Sequence, residues 1–166
     1  MPHRYEYFLD LSIAVPKPRP LDPKFLMKCV SISDADDLAA MMLDAYRGTI
    51  DYQGEDIEDA RQEILGYFCG KSGGTDLREL SRVISQDDRP ISACLSAKSD
   101  QRKYPLVAYS MTRNSYKGMG LARYLLATVL HELKSAGHLG VMAVITEGNI
   151  PSERLFGSAG FELIDR

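Results

Sequence analysis

The sequence predicts a mixed α/β (α+β) domain: a mostly antiparallel central sheet with about four helices. Three observations carry that expectation. Apolar residues recur at helical spacing in four separate stretches. Three strand candidates, residues 80–85, 91–97 and 106–112, follow one another across short polar turns. A nearly continuous apolar run over 139–146 lies between two helical stretches, as a buried parallel strand does.

In chain order, residues 1–23 differ from the rest. Residues 5–15 can form a strand. Pro16, Pro18, Pro20 and Pro23 then fix φ and remove backbone donors, which gives an extended linker. This predicts an N-terminal arm over 1–23, packed on the domain or on a neighbour, ahead of a domain over 24–166. Residues 27–32 read as a short strand. Ser33 is the expected cap of the first helix, with Asp34, Asp36 and Asp37 beside its positive end. Leu38, Met41, Met42 and Ala45 keep helical spacing, and Gly48 ends that helix. A loop over 49–54 leads to a second helix over 55–68, with Ile57, Ala60, Ile64 and Phe68 on one face. Residues 71–75 read as a flexible turn. Turns over 87–90 and 99–103 join the three strand candidates into a meander. The third helix, over 119–136, carries the stripe Ala122, Leu125, Leu126, Val129, Leu130 and Leu133, and Gly137 suits the position after its end. Pro151 fits the first turn of a last helix, where a missing N–H matters little. Residues 161–165 form the closing strand.

A chain of 166 residues is long enough for one domain with a real core. Its net charge of −3 gives no overall attraction to nucleic acid or to acidic membranes, so neither is an expected partner. The cysteines Cys29, Cys69 and Cys94 are odd in number and lack metal-ligand spacing. They fit buried thiols in a reducing, cytoplasmic setting with no metal. No apolar run approaches the ~20 residues that span a bilayer, and Glu6, Asp10 and Ser12 interrupt 5–15 as a leader peptide.

The densest chemistry lies in residues 112–126, TRNSYKGMGLARYLL. A strand runs into a polar turn, then Lys117, then Gly118 and Gly120, then an amphipathic helix. Such a turn aims free backbone N–H groups and a positive helix end at one spot, which suits a phosphate or pyrophosphate. Without Cβ atoms at Gly118 and Gly120, an anion can approach the backbone closely.

Two segments resemble the GCN5-related N-acetyltransferase (GNAT) family. Tyr116-Lys-Gly-Met-Gly-Leu-Ala122 is similar to its acyl-CoA pyrophosphate loop, Arg/Gln-x-x-Gly-x-Gly/Ala, with Lys117 in the cation position and Gly120 and Ala122 in the small ones. Asn149-Ile-Pro-Ser-Glu-Arg-Leu-Phe-Gly-Ser-Ala-Gly-Phe161 is similar to its Asn-x-x-(Ala/Ser)-x-x-Leu-(Tyr/Phe)-x-x-x-Gly-Phe segment. The order of elements also matches, over roughly 27–166. The resemblance implies a GNAT-like three-layer fold with a splayed parallel strand pair. It further implies transfer of an acetyl or acyl group from acetyl-CoA to a primary amine of a small molecule or peptide, in a ternary complex and without a metal. Ser110, Met111, Thr112, Lys117, Gly118, Met119, Gly120, Leu121, Ala122, Arg123, Asn149 and Ser152 would then bind the cosubstrate. Asn149 reads equally well as a helix cap before Pro151. Ser152 also reads as a packing residue, and Arg154 as a solvated helix-face charge.

Two groups are candidates for catalysis. Glu147, after the apolar strand, could act as base if it reaches the cleft; otherwise it is a solvated strand-end glutamate. Tyr109 is the second candidate, on a strand face the sequence does not define, and Tyr116 is a further polar residue nearby. His131 and His138 read as surface residues. Phe156 stands where family members often carry a tyrosine that protonates the leaving thiolate, and phenylalanine has no proton to give. That departure feeds an alternative reading, a catalytically inactive CoA-binding or sensor module. The chain has one strand after the last helix where the family has a final hairpin; the missing strand would come from the N-terminal arm, a partner chain, or nothing. The sequence allows a homodimer. Asp44, Asp51, Glu55, Asp56, Glu58 and Asp59 on the acceptor side form either a rim for a cationic amine or, more plainly, a solvated helix face. Tyr46, Tyr52 and Tyr67 line a pocket or pack helices.

Overall fold

Among the described residues eight strands form one sheet, and the way it is assembled decides where a ligand can enter. The computed structural model describes residues 2–70 and 74–164. The strands are β1 (Arg4–Asp10), β2 (Leu26–Cys29), β3 (Gly74–Asp76), β4 (Arg82–Gln86), β5 (Arg89–Ser99), β6 (Leu106–Thr112), β7 (Gly140–Thr146) and β8 (Glu162–Leu163). The helices are α1 (Ala35–Tyr46), α2 (Ile57–Cys69), α3 (Leu121–Ser135) and α4 (Ile150–Ser158). The sheet order is β2-β4-β5-β6-β7-β1-β8, with β3 also on β5. Every pairing is antiparallel except β6 with β7.

Side chains alternate across the sheet, so each inner strand feeds two cores. Val83, Ala93 and Leu95 pack with Leu38, Met41, Ile64 and Phe68 of α1 and α2. Their strand neighbours Ile84 and Cys94 pack with Leu125, Val129 and Leu133 of α3 and with Phe156 of α4. This is the three-layer arrangement the resemblance implies.

Local chemistry sets the helix starts, within one or two residues of expectation. Ser31, not Ser33, is the first cap. A 3₁₀ turn over Ile32–Asp34 precedes α1; the Ser31 hydroxyl accepts from Ser33 N–H (3.3 Å), and the Asp34 carboxylate reaches back to Ser31 N–H (2.9 Å). Asp56 and Asp59 close a reciprocal cap on α2 (2.9 and 3.0 Å). Part of the turn expected over 71–75 lies outside the described residues. Gly74–Asp76 is a strand, because β4 leaves β5 after Arg82↔Cys94 and the edge of β5 over 97–99 is open to pairing.

The N-terminal segment packs on its own chain. β1 pairs with β7 along its whole length, from Arg4↔Thr146 to Asp10↔Gly140, and β8 lies on its far side. Leu11 and Phe25 are buried in the α3 core. His131 Nε2 lies 3.0 Å from the Pro16 carbonyl, and Lys134 Nζ donates to the Ile13 carbonyl (2.8 Å). His131 is thus half-buried and holds the crossing segment.

Only one cysteine matches the buried-thiol expectation. Cys94 is buried, which pushes its thiol up to about 12, whereas Cys29 and Cys69 are exposed. A thiolate is the reactive form. A thiol reagent at mildly alkaline pH should therefore label Cys29 and Cys69 in the folded protein and reach Cys94 only after denaturation. Mass spectrometry of labelled peptides reads the outcome; rapid native labelling of Cys94 would contradict the packing.

Candidate active site

The parallel pair is short. β6 and β7 match only at Leu106↔Met142 and Val107↔Ala143; beyond them β6 runs on to Thr112 and β7 to Thr146 with no pairing between them. The cause lies in β6. Opposite β5 the register passes from Leu95↔Tyr109 to Ser96↔Val107, so Ala108 is an extra residue. A bulge of this kind bends its strand and re-aims the backbone. β7 is meanwhile held along its other edge by β1. The strands part into a slot that opens into a cleft of about 1750 Å³. That exceeds the usual small-ligand pocket of roughly 300–1,000 Å³ and leaves room for two substrates. Ser110, Met111, Thr112, Val144, Ile145 and Thr146 form its walls.

The glycine turn lies at one end of this cleft. Gly118 (φ +82°) and Gly120 (φ +80°) are left-handed, and a Cβ at either would meet nothing within 4 Å. Gly120 starts α3 with no side-chain cap. The first N–H groups of a helix have no intrahelical partner, so here they face open space at the positive helix end. The turn is tied to the last turn of α1 by three bonds. Asn114 N–H donates to Asp44 Oδ2 (2.7 Å), Asn114 Nδ2 to the Asp44 carbonyl (2.6 Å), and Lys117 Nζ to the Ala45 carbonyl (2.8 Å). Lys117 therefore lines the cleft while bound to the negative end of α1. Arg113 is buried, and its Nε donates to the Pro90 carbonyl (2.8 Å). Burial, and then Arg89, lower its pKa. Of the twelve residues expected to bind the cosubstrate, eleven line the cleft; Met119 does not and is half-exposed.

The two catalytic candidates separate. Glu147 is exposed and off the cleft wall, with its N–H donating to the His3 carbonyl (2.8 Å). It follows the last residue of β7 and continues the ladder with β1, and the chain rejoins the cleft wall at Gly148 and Asn149. Tyr109 does line the cleft, and its hydroxyl donates to Glu63 Oε1 on α2. Its ring meets Tyr67 edge-on (6.1 Å), and the Tyr67 hydroxyl is anchored on the Ser96 carbonyl (2.7 Å). Partial burial and then the Glu63 carboxylate raise the Tyr109 pKa well above the ordinary tyrosine range.

Asn149 caps α4, accepting from Ser152 N–H (3.2 Å), and its Nδ2 also donates to Asp51 Oδ2 (2.7 Å). Asp51 takes a second bond from Thr146 Oγ1 (2.6 Å). One carboxylate thus joins the α1–α2 loop to the end of β7 and the start of α4. Removing it with Asp51→Ala should lower stability by about 1–3 kcal/mol through the orphaned donors. The check is a fall in urea midpoint at unchanged m; an unmoved midpoint would contradict it. Phe156 lines the cleft, buried and edge-on to Phe161 (5.1 Å).

The sequence reading missed Glu63 as a cleft residue. Its signal was positional: it stands three residues after Ala60 and four before Tyr67, both buried, so it flanks the inner face of α2. Among the described residues no group of His, Cys, Asp or Glu is arranged to hold a metal, and no helix is long and apolar enough to cross a membrane.

Residues 80–166, just over half of the chain, match the family model described as FR47-like protein. The fold aligns with a GCN5-related N-acetyltransferase from Sphaerobacter thermophilus at a TM-score of 0.73 and 16% identity, over 97% of this chain and 48% of that one. The chain belongs to the GNAT family. A tandem GNAT protein from the clavulanic acid biosynthesis pathway aligns at 0.72 and 15% identity, over 99% and 51%. The yncA protein of Salmonella typhimurium, solved with acetyl-CoA, aligns at 0.66 and 17% identity, over 86% and 82%. This GNAT chain therefore spans about half the length of the first two proteins and most of the third. No curated protein sequence matches it.

Proposed function

We propose that this GNAT chain is an N-acyltransferase that moves an acetyl group from acetyl-CoA to a primary amine of a small molecule or peptide, by direct attack in a ternary complex. One observation carries the reading: an unpaired strand edge and an uncapped helix start share a single cleft. The fit to acyl-CoA is good. Open space at Gly118 and Gly120 admits a diphosphate to main-chain N–H groups. The free edge of β6 over 108–112 suits strand-like pairing with the pantetheine arm. A main-chain N–H near Met111 or Thr112 then polarises the thioester carbonyl. Acetyl-CoA supplies an activated acyl carbon; the protein supplies position, which is worth several kcal/mol when the reacting atoms are held in line. Asn149 acts by holding the start of α4 and Asp51. Phe156 offers no proton, so the leaving thiolate is neutralised by a proton the amine releases, carried by water.

The test is release of free CoA from acetyl-CoA and longer acyl-CoAs across a panel of primary amines. Amine-dependent release supports the transferase. Saturable CoA binding without release for any amine supports the second reading, a CoA-binding or sensor module, which Phe156 favours. A cytoplasmic setting and a homodimer belong to the proposal on the same footing.

A further inference from the structure

We infer that Glu63, held at the mouth of the slot by Tyr109, accepts the proton of the incoming ammonium and so gives this site its preference for cationic amines. This rests on the transferase reading above.

Four carboxylates line the cleft: Asp51, Glu55, Asp59 and Glu63. Three are committed elsewhere. Asp51 has both oxygens engaged by Thr146 and Asn149. Glu55 accepts from Gln53 N–H (2.8 Å), and Asp59 closes the cap of α2. Like Glu55 and Asp59, Glu63 has one carboxylate oxygen with no hydrogen bond among the described residues; it differs in its partner, since Oε1 accepts from the Tyr109 hydroxyl of β6 whereas theirs accept from main-chain N–H groups of their own loop and helix cap. Tyr109 is the residue at which β6 leaves its bulge and the slot begins. Its ring is fixed against Tyr67, which is itself anchored on Ser96. The Tyr109 hydroxyl stays protonated, so it serves as a donor and a positioning group, not as the base. Glu63 thus lines the cleft on the α2 side, tied to the strand whose free edge forms the slot.

The step balances. The ammonium gives one proton to the Glu63 carboxylate, and the freed lone pair forms the C–N bond at the thioester carbonyl carbon. The C–S bond breaks and its electrons leave on the CoA sulfur. The nitrogen loses a second proton on the way to the amide. One of the two protons neutralises the thiolate, and the other leaves Glu63 for solvent.

The experiment compares acetylation of benzylamine, cationic at neutral pH, with aniline, which is neutral there, by the wild-type chain, Glu63→Gln and Tyr109→Phe. General-base removal predicts about a 100-fold loss of kcat/KM for benzylamine in Glu63→Gln and under about threefold for aniline. Tyr109→Phe should lose about tenfold for benzylamine only. Acetyl-CoA affinity and melting temperature, measured on the same proteins, should not move. Equal losses for both amines, or none, would overturn the role of Glu63 and leave the transferase standing. No CoA release by the wild-type chain with these or any other amine would overturn the transferase reading itself, and this inference with it.

Discussion

Replacing Gly120 with valine should raise the KM for acyl-CoA about a hundredfold while the protein remains folded. A Cβ at Gly120 meets nothing within 4 Å, so the new side chain projects into open cleft and not into the core. The space it fills is where a diphosphate must lie to reach the N–H groups at the start of α3. Losing two charge-assisted bonds at about 1.5 kcal/mol each comes to roughly 3 kcal/mol, near a hundredfold in affinity. Backbone strain is a separate effect: φ +80° is left-handed, and a residue with a Cβ there costs about 1–2 kcal/mol. Gly120→Ala carries most of that strain with less bulk, so it should lose about as much stability and less acyl-CoA affinity. Circular dichroism and equilibrium binding separate the two; a folded Gly120→Val protein with unchanged acyl-CoA affinity would remove the turn from the mechanism.

The second large effect is on stability. Gly140 opens β7 opposite Asp10 of β1. A Cβ there would overlap Phe8 Cε2 and lie 2.7 Å from Phe8 Cζ and 3.0 Å from Tyr104 Cδ1. The Phe8 and Tyr104 rings pack on each other at 4.9 Å, so neither moves alone. Gly140→Ala should lose about 1–3 kcal/mol by overpacking, lowering Tm by roughly 3–10 °C in a chain of this size. Shortening Phe8 to leucine in the same protein should return part of the loss, a coupling that a double-mutant cycle measures. Additive losses would show that the clash is absorbed elsewhere. The position matters for function because β1 braces the strand that forms one wall of the slot.

Much of the architecture was legible because it is written locally. The stripe from Leu125 to Leu133 and the acids Asp36 and Asp37 in the first turn of α1 mark their helices through residues a few positions apart. The glycines of the phosphate turn are equally local. The shortfall concerns pairing between distant segments. Nothing in residues 5–15 says that they pair with a strand more than 130 residues away, and Gly74 and Thr75 become a strand only because β5 has an edge to spare. The bulge at Ala108, which parts β6 from β7, leaves no mark in an alanine. Asp51 read as part of an acidic rim or of a solvated face, and Glu63 drew no reading, because their partners Thr146, Asn149 and Tyr109 come from other elements. Glu147 is the converse case: its neighbours Thr146, Gly148 and Asn149 line the cleft while Glu147 itself is exposed, an outcome that the order of residues at a strand end does not set.

Amide hydrogen exchange with and without saturating acetyl-CoA tests the central claim most directly. The account predicts new protection at 108–112, along the free edge of β6, and at 118–123, around the start of α3, with little change in β1 or α2. Unchanged exchange at both segments under conditions where acetyl-CoA binds would contradict it.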